Sequence, residues 1–105
     1  MDLIRRADVW WAEPEWDRHP VVVMTRDAVI PHLRDIVVVP VTTQVRGLAT
    51  EVSLDEEDGL PRSCVAAADN VAQLSKALLV DRITTLSNER MAQVCRAVGL
   101  AIDCG

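Results

Sequence analysis

Residues 18–54 read RHPVVVMTRDAVIPHLRDIVVVPVTTQVRGLATEVSL. Two β-branched apolar runs lie in this stretch, Val21-Val22-Val23-Met24 and Ile36-Val37-Val38-Val39, and each reads as a strand. Polar residues flank both: Arg18, His19 and Pro20 precede the first, and Pro40, Val41, Thr42, Thr43, Gln44 and Arg46 follow the second. If the two runs pair antiparallel, the start of the first lies beside the end of the second. Arg18 and His19 then approach Thr42 and Thr43. Guanidinium, imidazole and hydroxyls would meet at one end of a sheet.

The rest of the composition sets bounds. A chain of 105 residues is expected to form one domain. It buries roughly two thirds of its unfolded surface. Half of it is apolar, which argues against disorder. There is no Phe or Tyr, and the three tryptophans, Trp10, Trp11 and Trp16, sit near the N-terminus, so the core is expected to be Val, Leu, Ile and Ala with one tryptophan cluster. The net charge of −5 opposes a long phosphate-binding track. Locally the sign differs: Arg18, Arg26, Arg34 and Arg46 fall in the central stretch, before the acidic run Asp55-Glu56-Glu57-Asp58. Ten of the eleven cationic side chains are Arg, which suits bidentate phosphate or carboxylate recognition, although genome composition gives the same bias. Cys64, Cys95 and Cys104 show neither CxxC nor Cys/His spacing, so free thiols are expected rather than a zinc site or disulfides. No signal core or run of about 20 apolar residues is present, and the expectation is a soluble, cytoplasmic protein.

Taken in order, residues 4–12 suggest a first strand, stopped at Glu13-Pro14-Glu15. A polar loop to His19 follows, and Pro20 opens the second strand. Residues 27–33 read as a connection with one helical turn broken at Pro31. Residues 35–45 form the third strand, where Pro40 suggests an edge or a bulge. Gly47 allows a turn, residues 50–54 alternate as a fourth strand, and an acidic loop turns at Gly59. Residues 64–71 and 78–83 are further strand candidates. Ser87 is a fitting N-cap with Glu89 in the first turn. Met91, Val94, Cys95, Val98 and Ile102 then keep helical spacing, with Arg90 off that face. The expected class is α+β, mainly β: a small barrel of antiparallel strands closed by a C-terminal amphipathic helix.

The residues at the strand ends meet the needs of metal-independent RNA cleavage. RNA carries its own nucleophile, the 2′-hydroxyl. The protein has to supply proton transfer and positive charge where the phosphorane develops. His19 can move a proton near neutral pH, Arg18 can hold phosphate oxygens with two N–H bonds, and Thr42 or Thr43 can donate a hydroxyl bond. Each also has an ordinary structural place: a His before a strand is commonly a surface residue, and Thr at a strand end serves β-propensity.

Five elements, taken in order, resemble the MazF/PemK toxin family, the ribosome-independent RNA endonucleases of bacterial toxin–antitoxin modules. They are RRADVWWAE, RHPVVVMTRD, VPVTTQVRGLATEV, SCVAAADNVAQLSKALL and the helix opening LSNERMAQV. The resemblance spans nearly the whole chain, and TRDAVIPHL and RGLATEV are most similar to the actinobacterial branch. It implies an SH3-like β-barrel with a C-terminal helix, a homodimer, single-stranded RNA bound near the dimer interface, and cleavage without metal or other cofactor. It also implies a cognate antitoxin whose flexible acidic tail occupies the RNA groove. The family's catalytic pair is an Arg directly before the strand-opening Pro and the first Thr after the second strand's Pro-x. The Thr transfers to Thr42. The residue before Pro20 is His19, with Arg18 one place earlier, and a one-residue shift in a strand turns a side chain to the other face. The expected catalytic set is therefore His19, Thr42 and Arg18. Thr43, Gln44, Arg26, Arg46 and Glu13 are expected along the RNA, and the resemblance implies that a loop carboxylate of the kind some members use could only be Glu13 or Glu15. The departure allows altered cleavage, or an inactive member that binds RNA or an antitoxin. A gyrase inhibitor of the CcdB type is disfavoured, because that family relies on a Trp-containing helix end where this chain has Ala101-Ile102-Asp103-Cys104-Gly105.

Overall fold

In a computed structural model that describes residues 3–15 and 17–103, the two valine runs form neighbouring antiparallel strands. Trp16 of the expected tryptophan cluster and Cys104 lie outside the described residues. The strands are β1 (Asp8–Ala12), β2 (His19–Val23), β3 (Asp35–Thr42), β4 (Glu51–Leu54), β5 (Cys64–Ala67), β6 (Ala72–Ser75) and β7 (Leu79–Thr85), followed by helix α1 (Asn88–Ala101). All pairings are antiparallel, in the order β4-β5-β3-β2-β1-β7, with β6 joined to β3. This is the expected mainly-β architecture with one C-terminal helix.

The uninterrupted valine runs have a physical reason. Val22, Val39 and Val41 face one core cluster, shared with Val52, Leu54, Met91 and Val94. Val21, Val23 and Val38 face a second, with Trp10, Ile30 and Ile36. Where a strand is covered on both sides it has no solvent face to mark with polar residues, and Val37, at 38% exposed, is the one position of the two runs that stays open. Helix α1 caps the first cluster with Met91, Val94 and Ala97. Fully burying a side chain of the Met or Val size contributes about 2 kcal/mol. Ser87 caps the helix, its hydroxyl accepting the Arg90 N–H at 3.1 Å.

Several sequence expectations shift. The first strand begins at Asp8 rather than residue 4, because Ala7 adopts φ 73° and the Asp8 N–H closes a turn onto the Arg5 carbonyl. Pro31 lies inside a 3-10 turn, Ile30–His32, at a position where no N–H is needed, and does not break it. Pro40 lies neither on an edge nor at a bulge. β3 pairs with β6 through Asp35–Val38 and with β5 through Val41–Thr42, so Pro40 falls where the strand exchanges one neighbour for another. The strand expected over residues 64–71 stops at Ala67 and becomes the 3-10 turn Ala68–Asn70, and β6, which the sequence reading lacks, follows it. Ile102 lies beyond the helix and is 52% exposed, so it is not part of the packed face. Arg90 is half-buried and its Nε donates to Asp58 Oδ1 at 3.0 Å, tying α1 to the acidic turn Glu56–Asp58. Among the described residues no helix is long and apolar enough to cross a membrane.

Candidate active site

Pro20 sets where the site opens. The Met24 N–H donates to the Val37 carbonyl, which makes 24/37 a hydrogen-bonded pair. By antiparallel alternation 22/39 is the next such pair and 20/41 the one after. Pro20 has no N–H to give, and the β2–β3 register ends at Val21↔Pro40. Continued by two residues, that register sets His19 opposite Thr42. β3 meanwhile turns to β5 through Thr42↔Val65. The seam comes apart at one end of the sheet and leaves a cavity of about 590 Å³. Its walls include Trp11, Asp17, Arg18, His19, Thr42, Thr43, Arg62 and Cys64. The central sequence expectation, imidazole and guanidinium beside the two hydroxyls, is met in one space.

Each group has a defined setting. His19 is 27% exposed, and its Nδ1 is shielded from solvent. Nδ1 lies 3.0 Å from Asp17 Oδ2, but the carboxylate is off the N–H direction, so the contact is an ion-pair approach without a formed hydrogen bond. With Nδ1 buried beside Asp17, Nε2 is the nitrogen left for chemistry. Thr42 Oγ1 accepts the Gln44 N–H at 3.1 Å. That bond fixes the oxygen and leaves the hydroxyl proton free to donate. Arg18 is held from three sides: Nη1 is 2.6 Å from Glu13 Oε1, Nη2 is 3.7 Å from Asp81 Oδ2, and the guanidinium lies 5.0 Å from the centroid of the Trp11 ring. These are half-exposed contacts, each worth under about 1 kcal/mol; together they favour the docked pose by roughly tenfold. The Cys64 thiol is pushed up from its ordinary pKa, first by burial and then by the Asp58 and Asp55 carboxylates. It faces the cavity as a neutral thiol, a poor nucleophile.

The remaining expected residues divide. Gln44 and Arg46 line a smaller recess of about 130 Å³ that shares Thr42 with the main cavity. Glu51 and Asp69 line it too, and the Glu51 carboxylate accepts the Arg46 and Leu48 N–H groups at 3.1 Å. Two carboxylates against one guanidinium make that recess a poor anion site. Glu13 reaches the main cavity only through Arg18. Arg26 is not brought to the site: it lies past the far end of β2, which at about 3.3 Å per residue is roughly 15 Å long. Two charged wall residues escaped the sequence reading, Asp17 and Arg62. Arg62 enters because β5 pairs with the end of β3, which swings the loop before β5 against Thr42. Only that long-range pairing reveals it.

Residues 5–102 match the family described as the PemK-like, MazF-like toxin of type II toxin-antitoxin systems. The chain belongs to this family. It is 46% identical over 104 residues to the "Probable endoribonuclease MazF5" of Mycobacterium tuberculosis, covering 97% of this chain and 95% of that protein. The solved "Mycobacterium tuberculosis toxin MazF-mt6" superposes with a TM-score of 0.84 at 35% identity, over 91% of this chain and 96% of that one. An "Endoribonuclease in complex with its cognate antitoxin from Mycobacterial species" superposes with a TM-score of 0.88 at 25% identity, over 98% of both chains. These mycobacterial relatives agree with the actinobacterial resemblance of TRDAVIPHL and RGLATEV. The PemK/MazF match spans both walls of the cavity. Thr42 stands in it at the position that the resemblance assigns to the family threonine, and an imidazole stands before Pro20.

Proposed function

We propose that this chain is the endoribonuclease toxin of a type II toxin–antitoxin pair, and that the cavity between β2 and β3 is where single-stranded RNA is cut. The observation that carries the proposal is the cavity that holds His19, Arg18 and Thr42 where the β2–β3 pairing ends beside Pro20, in a chain 46% identical to a named endoribonuclease. His19 Nε2 takes the proton of a 2′-hydroxyl. The freed oxygen forms a bond to the adjacent phosphorus, and the bond from phosphorus to the 5′ oxygen breaks. The 5′ oxygen takes a proton from water entering the open cavity, and the hydroxide left behind takes back the proton that His19 gained. The products are a 2′,3′-cyclic phosphate and a 5′-hydroxyl. The Thr42 hydroxyl donates to a non-bridging oxygen as charge builds there. Thr43 and Arg18 border the path of the strand. No step calls for a metal.

The cavity wall carries an exposed guanidinium, Arg62, with no carboxylate partner among the described residues while the protein as a whole is acidic, so an acidic, flexible antitoxin segment and an RNA strand can present it with the same spaced negative charge. The antitoxin inhibits by occupation. The toxin acts as a cytoplasmic homodimer on a preferred base sequence. The test is incubation of purified protein with a long single-stranded RNA in EDTA. Fragments should accept a 5′ label from polynucleotide kinase without prior phosphatase treatment. Thr42→Ala should lower the rate at least a hundredfold. Cleavage that stops in EDTA, or fragments with 5′-phosphates, would overturn the mechanism. Antitoxin binding with no cleavage would make the chain an inactive family member that titrates antitoxin.

A further inference from the structure

On the reading of the cavity as an RNA-cleaving site, we propose that Arg62 grips the scissile phosphate, the task that an imidazole before Pro20 leaves open. Arg62 stands in the wall of the same cavity as His19 and Thr42. It is exposed and makes no hydrogen bond or ion pair among the described residues. Arg18, the other guanidinium in the wall, is engaged by Glu13, Asp81 and Trp11 and reaches a phosphate only by releasing them. Of the two, Arg62 has its whole donor fork available.

The chain presents Arg62 on a short, pinned loop. Asp55 and Asp58 close a capping box on the preceding 3-10 turn, and Gly59 ends it at φ 95°. Leu60, 3% exposed, anchors the next residue in the core, and Pro61 fixes its own φ. On the far side Cys64 opens β5, whose Val65 pairs with Thr42. The guanidinium is therefore held on firm backbone next to the strand that carries Thr42, and its side chain alone is free to swing. Its planar fork can hold two non-bridging phosphate oxygens at once, and it remains charged at any working pH. The other charged groups at the wall are Asp17, which faces His19, and Arg18.

The experiment compares wild type, R62A, R62K and R18A on a long single-stranded RNA in EDTA under single turnover, with thermal melting as the control for folding. R62A should lose at least a hundredfold in rate while melting within a few degrees of wild type. R62K, which offers one point charge and no fork, should fall between them. The fall of log rate with log salt at subsaturating protein should be shallower for R62A, by the share of about one phosphate contact. R18A should lose less than R62A. If R62A does not fold, R62Q is measured against the same limits. R62A or R62Q cleaving within threefold of wild type overturns the assignment and leaves RNA cleavage standing. A wild type that neither binds nor cuts RNA overturns the cleavage reading, and the role of Arg62 with it.

Discussion

Replacing Asp8 by alanine removes a carboxylate that is 1% exposed and accepts three donors. Oδ2 takes the Arg5 N–H at 3.0 Å and the Trp10 indole N–H at 3.1 Å, and Oδ1 takes the Thr85 hydroxyl at 2.7 Å. Arg5 and Thr85 are exposed and can turn to water; Trp10 is 5% exposed and cannot. A stranded buried donor costs about 1–3 kcal/mol, and losing bonds to a charged acceptor adds about 1–2, so Asp8→Ala should cost roughly 3 kcal/mol. In a domain of this size that is roughly 15 °C in Tm. Asparagine is the informative contrast. Its amide oxygen can keep the Arg5 and Trp10 bonds, and its NH2 can face Thr85, whose hydroxyl then turns from donor to acceptor. Asp8→Asn should therefore cost only about 1 kcal/mol. The assay is urea unfolding at one fixed protein concentration, because self-association would couple stability to concentration. Equal losses in the two variants, or a loss under about 1 kcal/mol for alanine, would refute the hydrogen-bond account.

Gly59→Ala should destabilise the protein by roughly 3 kcal/mol, combining a φ of 95° with a Cβ placed 2.6 Å from Thr84 Cβ in β7, and a urea midpoint equal to wild type would contradict this. Thr42→Val, close in shape but without the hydroxyl, should lose at least about a hundredfold in cleavage rate, whereas Thr42→Ser should stay within about tenfold; equal rates for the two would remove the hydroxyl from the mechanism. Cys64 should resist iodoacetamide in the native protein and react after unfolding, which mass spectrometry of alkylated peptides distinguishes. Because its folded pKa is raised above the unfolded value, its contribution to stability is complete below about pH 8.5 and is lost as pH climbs through the folded value. Wild type should therefore lose more stability than Cys64→Ala between pH 8 and 10, and parallel profiles would count against the burial argument.

The fold was legible where burial leaves a compositional trace. The valine runs announced β2 and β3, and their antiparallel pairing placed Arg18 and His19 beside Thr42 and Thr43 before any coordinates. Ser87 and the spacing of Met91 and Val94 marked the helix. β6 left no such trace: Ala72-Gln73-Leu74-Ser75 is half exposed, has no buried residue, and owes its strand form to pairing with Asp35–Val38 across the ladder. Pro40 misled because its cost depends on which side the missing N–H faces, and that follows from the change of neighbour along β3. The same pairing hid Arg62, nineteen or more residues from every wall residue of the central stretch, and a basic residue so far off cannot be placed without knowing what β5 lies against. Arg26 erred in the opposite way. It is close to the site in sequence, but a strand carries its two ends apart.

Trp11 has a practical consequence. The protein has no tyrosine, so its near-ultraviolet emission comes from tryptophan alone. Trp10 is sealed in the interior, whereas the Trp11 indole forms part of the cavity wall under the Arg18 guanidinium. An occupant that lifts Arg18 or stacks on that ring changes the polarity around one fluorophore and leaves its neighbour in place. Unlabelled protein with Trp16 replaced by phenylalanine thus carries its own optical reporter of occupancy, suited to titrating inhibitors and to stopped-flow timing of their arrival.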